Sequence, residues 1–240
     1  MKIIISPTKT MDCANCKIHS ATKAHFEIKA QQIYRDLQTK DTSDLRHIYN
    51  CSDKIIQQNL DRLAQNTTIH SASSAIGSFT GLQFKHINAN LMSCEQINYL
   101  QNNLLILSAL YGVLRPLDGV VEYRLDVCDF YKINGENLSR FWLNTLSEYL
   151  SEETIINLAS TEYSNLIHSN KMINIKFYTI EDGKLKTKST FSKMARGSMV
   201  NFLATNKIKL QEDIKQFNSL EFNFNEELST DNTLVFTKNQ

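Results

Sequence analysis

Residues 104–126 combine the pattern of a buried strand with residue types that bind anions. The stretch reads LLILSALYGVLRPLDGVVEYRLD, with Arg115 and Arg124 after the apolar run. Arginines hold phosphate or carboxylate groups through charge-assisted hydrogen bonds, and α/β proteins commonly place ligand sites where a strand ends. The alternative is that each arginine pairs locally with an acid that follows it. Those pairs would be Arg115–Asp118 and Arg124–Asp126.

Residues 6–10, reading SPTKT, form a second candidate site after a β-branched strand at residues 2–5. Ser6, Lys9 and Thr10 offer hydroxyls and an ammonium, a set that can hold a phosphate or a carboxylate. The loop lacks the glycines of a Walker loop, so we predict no nucleotide P-loop. Capping of a turn by the hydroxyls, with Lys9 in solvent, is the alternative.

Lys193 and Arg196 are i, i+3 neighbours near the start of a helix that we predict to be capped by Ser192. Helix-start N–H groups beside them would favour an anion. The net charge of the chain is only +1, yet residues 161–210 hold nine basic and three acidic side chains. This block predicts either a local positive surface or an ordinary solvated lysine-rich face.

Gly77 and Gly81 bracket the segment GSFTG, after a helix-like pattern at residues 71–76. Glycines in this arrangement resemble the hairpin of a helix-hairpin-helix element, whose backbone N–H groups meet a DNA phosphate regardless of sequence. Glycine would be needed there because the backbone approaches the phosphate closely. An ordinary turn is the alternative.

Glu162 follows the buried-strand pattern of residues 154–158 and could pair with an arginine or act on a proton. With Lys9 it is our candidate catalytic residue, although no reaction follows from the sequence. We find no Ser-His-Asp order, HExxH motif or Rossmann fingerprint, and we expect no cofactor. The spacing of Cys13, Cys16 and His19 is tighter than in familiar zinc fingers, so we also expect no metal.

Several secondary-structure elements must position these residues. We predict helices in residues 25–65, because apolar residues recur there at spacings of three and four. Thr42 and Ser52 are the predicted N-caps of two of them. Ser93 with Gln96 predicts a capping box ahead of the central strand.

Towards the end of the chain, Asp182 and Gly183 separate two alternating runs and predict a two-residue hairpin. Residues 219–224 and 233–236 have the pattern of strands. No run reaches transmembrane length and no signal pattern opens the chain, so we expect a cytoplasmic protein without membrane contact. Five cysteines, an odd number, favour reduced thiols over a disulfide framework.

Five sequence blocks, in this order, resemble the motifs of the YaaA family of bacterial peroxide-stress resistance proteins. The blocks lie at residues 4–10 (IISPTKT), 77–82 (GSFTGL), 107–126 (LSALYGVLRPLDGVVEYRLD), 157–163 (NLASTEY) and 191–197 (FSKMARG). Tyr111 lies in the third block and joins the candidate binding residues. One block alone would be a weak signal, but five span nearly the whole chain.

The resemblance implies one compact mixed α/β domain over residues 1–240, with a mixed sheet surrounded by helices and a helix-hairpin-helix element. It also implies a response to hydroperoxide that limits iron-dependent damage. From it we expect a DNA-binding protein with a basic cleft and no obligate protein partner. The competing hypothesis is an enzyme that acts on nucleic acid or on a phosphorylated small molecule. Direct iron sequestration is disfavoured, because the blocks hold no ligand cluster.

The chain departs from the family pattern at several positions. One acid is gained and two expected basic residues are absent, which predicts weaker attraction of phosphate than in a typical relative. The chain departs from the pattern at Phe79, Glu122, Cys128, Asn165 and Asn201. Glu122 is the gained acid, and Asn165 and Asn201 stand where basic residues are expected.

Overall fold

The apolar run at residues 104–107 forms a fully buried strand, β2 (Leu104–Ser108), which is second from one edge of the sheet. Strand β1 (Lys2–Ile5) pairs with it in parallel, with Ile3 opposite Leu104. Both strands are apolar and almost wholly buried, as expected where helices cover both faces of a parallel sheet. The computed structural model describes residues 1–65 and 68–239.

Eight strands of the described residues form one mixed sheet, in the order β3-β2-β1-β6-β7-β10-β9, with β8 paired to β7. The five from β2 to β10 in that order are parallel, whereas β3, β8 and β9 are antiparallel to their neighbours. Strands β4 and β5 form a separate hairpin. The remaining bounds are β3 (Gly112–Leu114), β4 (Lys132–Ile133), β5 (Glu136–Asn137), β6 (Ile155–Asn157), β7 (Met172–Glu181), β8 (Lys184–Lys186), β9 (Asn223–Thr230) and β10 (Thr233–Asn239).

Ten α-helices and two short 3-10 helices lie in the same described residues. They are α1 (Glu27–Gln38), α2 (Thr42–Tyr49), α3 (Asp53–Gln65), α4 (Ala75–Ser78), α5 (Leu82–Ile87), α6 (Cys94–Asn103), α7 (Leu138–Tyr149), α8 (Thr161–Ser164), α9 (Ser189–Thr205) and α10 (Gln211–Ile214), with 3-10 turns at Ala89–Leu91 and Ser219–Glu221. The predicted mixed α/β fold, one domain with helices around a mixed sheet, is confirmed.

The close contact between α9 and α5 depends on Gly197. A Cβ atom at this position would lie 2.1 Å from the carbonyl oxygen of Gln83 and 2.7 Å from Cβ of His86. Only glycine lets the two helices approach this closely. The contact fixes the first half of α9 against the start of α5.

Two local predictions are confirmed in full. At the start of α6, Gln96 N–H donates to Ser93 Oγ at 3.3 Å, and Ser93 N–H donates to Gln96 Oε1 at 2.8 Å. Asp182 and Gly183 connect β7 to β8 with φ values of 50° and 72°, the left-handed pair that a tight hairpin turn needs.

Two predicted helix caps are wrong, one by a single residue and the other by four residues. Helix α2 is capped by Asp41 rather than Thr42, because Asp41 Oδ1 accepts the N–H of Asp44 at 2.8 Å. Helix α9 begins at Ser189, ahead of the predicted cap at Ser192. Ser192 is instead buried within the first turns of that helix.

The strand predicted from residue 219 is also wrong at its start. Leu220 and Glu221 have φ values of 58° and 65°, in the left-handed region that an extended strand does not use. Strand β9 therefore begins at Asn223, and the residues before it form the 3-10 turn.

No helix within residues 1–65 and 68–239 is long and apolar enough to cross a membrane. All five cysteines fall within these ranges, and each is a free thiol.

Candidate functional site

A polar cleft of about 510 Å³ opens at the carboxyl ends of β1 and β6. The chain places β2 on one side of β1 and β6 on the other, so the strand order reverses between β1 and β6. Ligands of open α/β sheets bind at such switch points, because the loops diverge there and leave a crevice. The polar cleft is lined by Ser6, Pro7, Thr8, Lys9, Thr10, Gly81, Leu82, Gln83, Asp126, Ser160, Glu162, Tyr163, Thr190, Lys193 and Arg196.

The floor of the polar cleft is held together by hydroxyl groups. Ser6 Oγ accepts the N–H of Ser160 at 2.8 Å and lies 3.0 Å from Ser160 Oγ. Thr10 Oγ1 accepts the hydroxyl of Thr80 at 2.9 Å. Gly81 has a φ of +112°, and Cγ2 of Thr8 is 3.2 Å from where its Cβ would be, so glycine is required where α5 meets this loop.

Three cations reach the polar cleft. Lys9 Nζ lies 3.6 Å from Asp126 Oδ2, and half of the Lys9 side chain is exposed. Lys193 lies in the open part of the cleft, with no carboxylate oxygen of the described residues within 4.0 Å of its ammonium. The Lys193 ammonium is therefore available to a solvent-borne anion, whereas the Lys9 ammonium is already paired with Asp126 and, at 3.9 Å, with Asp129.

Arg196 supplies the deepest cation. Its Nε atom is buried and has no hydrogen-bond partner among the described residues. Burial lowers the pKa of the guanidinium, and the nearby Glu162 carboxylate acts in the opposite direction. A guanidinium remains charged despite such a shift, so Arg196 presents an incompletely satisfied positive group to the cleft.

Carboxylates share the polar cleft with these cations. Asp126 Oδ1 accepts the N–H of Cys128 at 3.0 Å, which turns its other oxygen towards Lys9. Glu162 lies exposed in the first turn of α8. Asp129 Oδ1 also lies 3.9 Å from Lys9 Nζ. Burial raises the pKa of the Asp129 carboxyl, although the N–H of Asp126 and the Lys9 ammonium oppose the shift. The cleft is therefore mixed in charge rather than uniformly basic.

The structure brings together most of the residues predicted from the sequence. Six of the predicted binding residues and both candidate catalytic residues line the polar cleft. They are Ser6, Lys9, Thr10, Gly81, Lys193, Arg196 and Glu162, with Lys9 in both groups.

Arg115 and Arg124 do not line the polar cleft. Arg115 forms the local ion pair that was the alternative interpretation, with Nη2 at 2.9 Å from the buried Asp118 Oδ1. Arg124 lines a separate narrow crevice that also contains Glu122. The alternative pair Arg124–Asp126 is absent, since Asp126 faces Lys9.

Tyr111 and Gly77 also lie outside the polar cleft. The Tyr111 side chain is fully buried, where its hydroxyl donates to Ile69 O at 2.6 Å and accepts the N–H of Val121. Gly77 packs inside α4, where a Cβ would be 2.6 Å from Sγ of Cys16. Close packing thus explains this glycine, and the proposed binding site omits both residues.

Ser160 and Gln83 were missed by the sequence reasoning. Ser160 is the third residue after β6 and Ser6 is the first after β1, so a hydroxyl close to the end of a buried strand was a signal that the sequence offered. Gln83 Nε2 donates to Ser6 O at 3.2 Å. The two residues are 77 positions apart in the sequence, so no local pattern predicts this contact.

Glu122, the acid that this chain gains relative to the family pattern, lies outside the polar cleft. Its carboxylate is 2.7 Å from Nη2 of Arg62 and accepts the N–H of Cys13 at 2.9 Å. The predicted weakening of phosphate attraction therefore cannot come from this residue. No group of three or more potential metal ligands occurs in the parts of the chain that the structure describes.

The fold and the polar cleft together define an α/β protein with a cleft of mixed charge at the switch point of its sheet. The chain belongs to the family of the peroxide stress protein YaaA, whose model matches residues 1–228. The resemblance inferred from the five sequence blocks is thereby confirmed.

Curated relatives match over essentially their whole length. A UPF0246 protein of Pediococcus pentosaceus is 37% identical over 248 residues, covering 100% of this chain and 99% of the relative. A UPF0246 protein of Agathobacter rectalis is 37% identical over 246 residues, covering 99% of both. A UPF0246 protein of Limosilactobacillus reuteri is 37% identical over 245 residues, covering 98% of both.

Proposed function

We propose that this protein acts in the cytoplasmic response to peroxide by binding DNA phosphates in the polar cleft, which limits iron-dependent damage to the DNA. The observation that carries the proposal is the convergence of Lys9, Lys193 and Arg196 on one cleft. Ammonium and guanidinium groups form charge-assisted hydrogen bonds with phosphate oxygens. The family membership supports the link to peroxide.

The segment from α4 to α5 is the second proposed contact with DNA. Helix α4, a single turn of four residues, is joined to α5 by residues 79–81, and we propose this junction as the hairpin of a helix-hairpin-helix-like element. Gly81 lines the polar cleft at this junction, so a strand bound through Lys9 would pass the same backbone.

A salt series tests the proposal. The affinity for a 20-base-pair duplex is measured by fluorescence anisotropy between about 50 and 200 mM salt, where phosphate contacts are strongly screened. The double variant Lys193→Ala with Arg196→Ala should reduce the slope of log K against log salt by about two, since each lost phosphate contact removes about one unit.

The matched control replaces an arginine and a lysine outside the polar cleft. Arg140 and Lys171 pair with the surface acids Glu136 and Glu152. Arg140→Ala with Lys171→Ala changes the net charge equally and should leave most of the slope intact. Equal slopes for the two double variants, or an affinity that does not depend on salt, would contradict the proposal that DNA phosphates bind in the polar cleft.

A second candidate function, catalysis on nucleic acid or a phosphorylated small molecule, is favoured by Asp126 and Glu162. Carboxylates facing cations in a cleft are suited to proton transfer at a bound phosphate ester. Mass spectrometry of end-labelled DNA and of deoxynucleoside monophosphates, after incubation with the protein, tests for a product. Turnover that Glu162→Gln abolishes, with binding retained, would establish an enzyme, and binding without any product favours the DNA-binding protein.

A further inference from the structure

Cys13 and Cys16 place two free thiols at the ends of one tight turn, outside the polar cleft. The N–H of Cys16 closes the turn by donating to Cys13 O at 3.4 Å. Asp12 stabilises the turn further, because its carboxylate accepts both the backbone N–H of Asn15, at 3.0 Å, and the side-chain amide of that residue. Neither cysteine has a part in the proposed binding of DNA.

The turn brings the two cysteines within reach of a disulfide bond. The ends of such a turn have Cα atoms less than about 7 Å apart, and disulfides span Cα distances of about 4.4 to 6.8 Å. Both side chains are partly exposed. Burial raises the pKa of the Cys13 thiol to about 11, and negative charge on Glu122 and on Cys16 adds to the rise. The two sulfur atoms therefore lie in one electrostatic environment.

Each free thiol has its own contacts with the rest of the fold. Cys16 Sγ donates to Ile18 O at 3.1 Å and lies 2.6 Å from where a Cβ atom of Gly77 would be, so it packs directly on α4. Cys13 Sγ lies 3.7 Å from Val120 O. The two sulfurs of a disulfide are only about 2.05 Å apart. At least one of the two side chains must therefore rotate away from its present contacts to form the bond.

A short pairing of two segments connects the turn and α4 to the polar cleft. The N–H of Asp12 donates to Ser78 O at 2.8 Å, and the N–H of Thr80 donates to Thr10 O at 3.0 Å. Thr10 and Gly81, at the end of this pairing, line the polar cleft. The turn, α4 and the rim of the cleft are thus joined by consecutive hydrogen bonds.

We propose that Cys13 and Cys16 are a dithiol that hydroperoxides oxidise to a disulfide, and that this disulfide loosens α4 and the rim of the polar cleft. The choice of hydroperoxide as the oxidant rests on the proposed function, in which the protein responds to peroxide. The pairing of the two thiols rests on the geometry of the turn alone. Exchange with a small disulfide is the other route to the same bond, and the experiment separates the two routes.

The oxidation takes two steps. The Cys16 thiolate attacks the terminal oxygen of the hydroperoxide, the O–O bond breaks, and the departing alkoxide or hydroxide takes a proton from water. Cys16 becomes a sulfenic acid, which condenses with a neighbouring thiol. The Cys13 sulfur attacks the Cys16 sulfur, the S–O bond breaks, and the hydroxide leaves as water with the Cys13 proton. Two thiols lose two electrons, and the hydroperoxide is reduced to water and an alcohol, or to two waters.

Cys16 is assigned the first step because the raised pKa of Cys13 keeps that thiol protonated near neutral pH, and the thiolate is the nucleophile. Cys13→Ser should therefore stop the reaction at the sulfenic acid, which dimedone labels on Cys16. Cys16→Ser should form neither the sulfenic acid nor the disulfide within this turn.

The full chain is treated at neutral pH with hydrogen peroxide or, separately, with oxidised glutathione. Remaining thiols are blocked with N-ethylmaleimide after an acid quench. Cleavage by trypsin after Lys9 and Lys17 releases residues 10–17, a peptide that holds both cysteines and no other. Its mass shows whether the two thiols have lost two hydrogens. Hydrogen exchange of residues 74–81, measured before and after oxidation, reports the opening of α4 and the cleft rim.

We expect hydrogen peroxide to convert the peptide of residues 10–17 to the disulfide, and exchange of residues 74–81 to become several-fold faster. Dithiothreitol should reverse both changes. Cys94→Ser is the matched control, since Cys94 is an exposed cysteine at the start of α6, and it should behave as the native chain does.

A peptide that remains a dithiol with both oxidants would overturn the pairing of Cys13 and Cys16. A disulfide formed with oxidised glutathione and not with peroxide would overturn the hydroperoxide as its oxidant. A disulfide that leaves exchange of residues 74–81 unchanged would overturn the effect on α4. None of these readouts uses DNA, so each is distinguishable from failure of the proposed DNA binding in the salt series.

Discussion

Ser6 and Ser160 are 154 residues apart in the chain, yet the N–H of Ser160 donates to Oγ of Ser6 at 2.8 Å. The two hydroxyl oxygens are 3.0 Å apart. This pair joins the carboxyl ends of the neighbouring strands β1 and β6 and forms the floor of the polar cleft.

Replacing Ser6 with alanine should lower the free energy of unfolding by about 1 kcal/mol, since the partly buried N–H of Ser160 loses its acceptor. Urea denaturation measures the loss. Ser164→Ala is the control, because the Ser164 hydroxyl only donates locally to Thr161 O, and its cost should stay within about 0.5 kcal/mol. Equal costs for both variants would show that the Ser6–Ser160 contact contributes little.

Asp126→Asn should strengthen DNA binding, because it removes a negative charge that faces Lys9 at 3.6 Å. Asparagine keeps an oxygen that can accept the N–H of Cys128. An ion pair at this exposure is worth up to about 1 kcal/mol, so we expect roughly a two- to five-fold gain in affinity at low salt.

Anisotropy with the duplex of the salt series measures this gain, and high salt should reduce it. Asp53→Asn is the control, since Asp53 pairs with Arg46 at an exposed site outside the polar cleft. Weaker binding by Asp126→Asn would mean that Asp126 holds Lys9 in its binding position rather than competing with phosphate.

Tyr111→Phe should destabilise the fold without changing the salt dependence of DNA binding. The variant leaves Ile69 O and the N–H of Val121 without a buried partner, which should cost about 2 to 4 kcal/mol. Tyr99→Phe removes one partly buried bond, to Ile208 O, and should cost less. A reduced slope of log K against log salt for Tyr111→Phe would instead indicate that Tyr111 contributes to phosphate binding.

The Cys13 thiol should react slowly with iodoacetamide at neutral pH. Burial raises its pKa to about 11, and the Glu122 carboxylate adds to the rise. The thiolate is the nucleophile, so the rate should climb about tenfold per pH unit up to about pH 11.

Pulsed alkylation with mass spectrometry measures the Cys13 rate as a function of pH. The control is the same cysteine in the urea-unfolded chain, where the profile should return to a midpoint of about 8.5. A native profile with that same midpoint would show that the folded environment of Cys13 is not desolvated.

The sequence by itself determined the elements whose signals are local. The capping box of Ser93 and Gln96 and the hairpin at Asp182 and Gly183 depend on hydrogen bonds and φ angles within a few residues, so neighbouring residue types suffice to predict them. The family blocks likewise identified most residues of the polar cleft before their positions were known.

Only the tertiary structure decided which cations share that cleft. Arg115 and Arg196 have the same residue type and both lie in family blocks, yet Arg115 pairs with the buried Asp118 and Arg196 turns into the cleft. Their directions depend on strand order and on the contact of α9 with α5 at Gly197, which joins residues more than 100 positions apart. Such packing is set by the whole core, and no local pattern of residues encodes it.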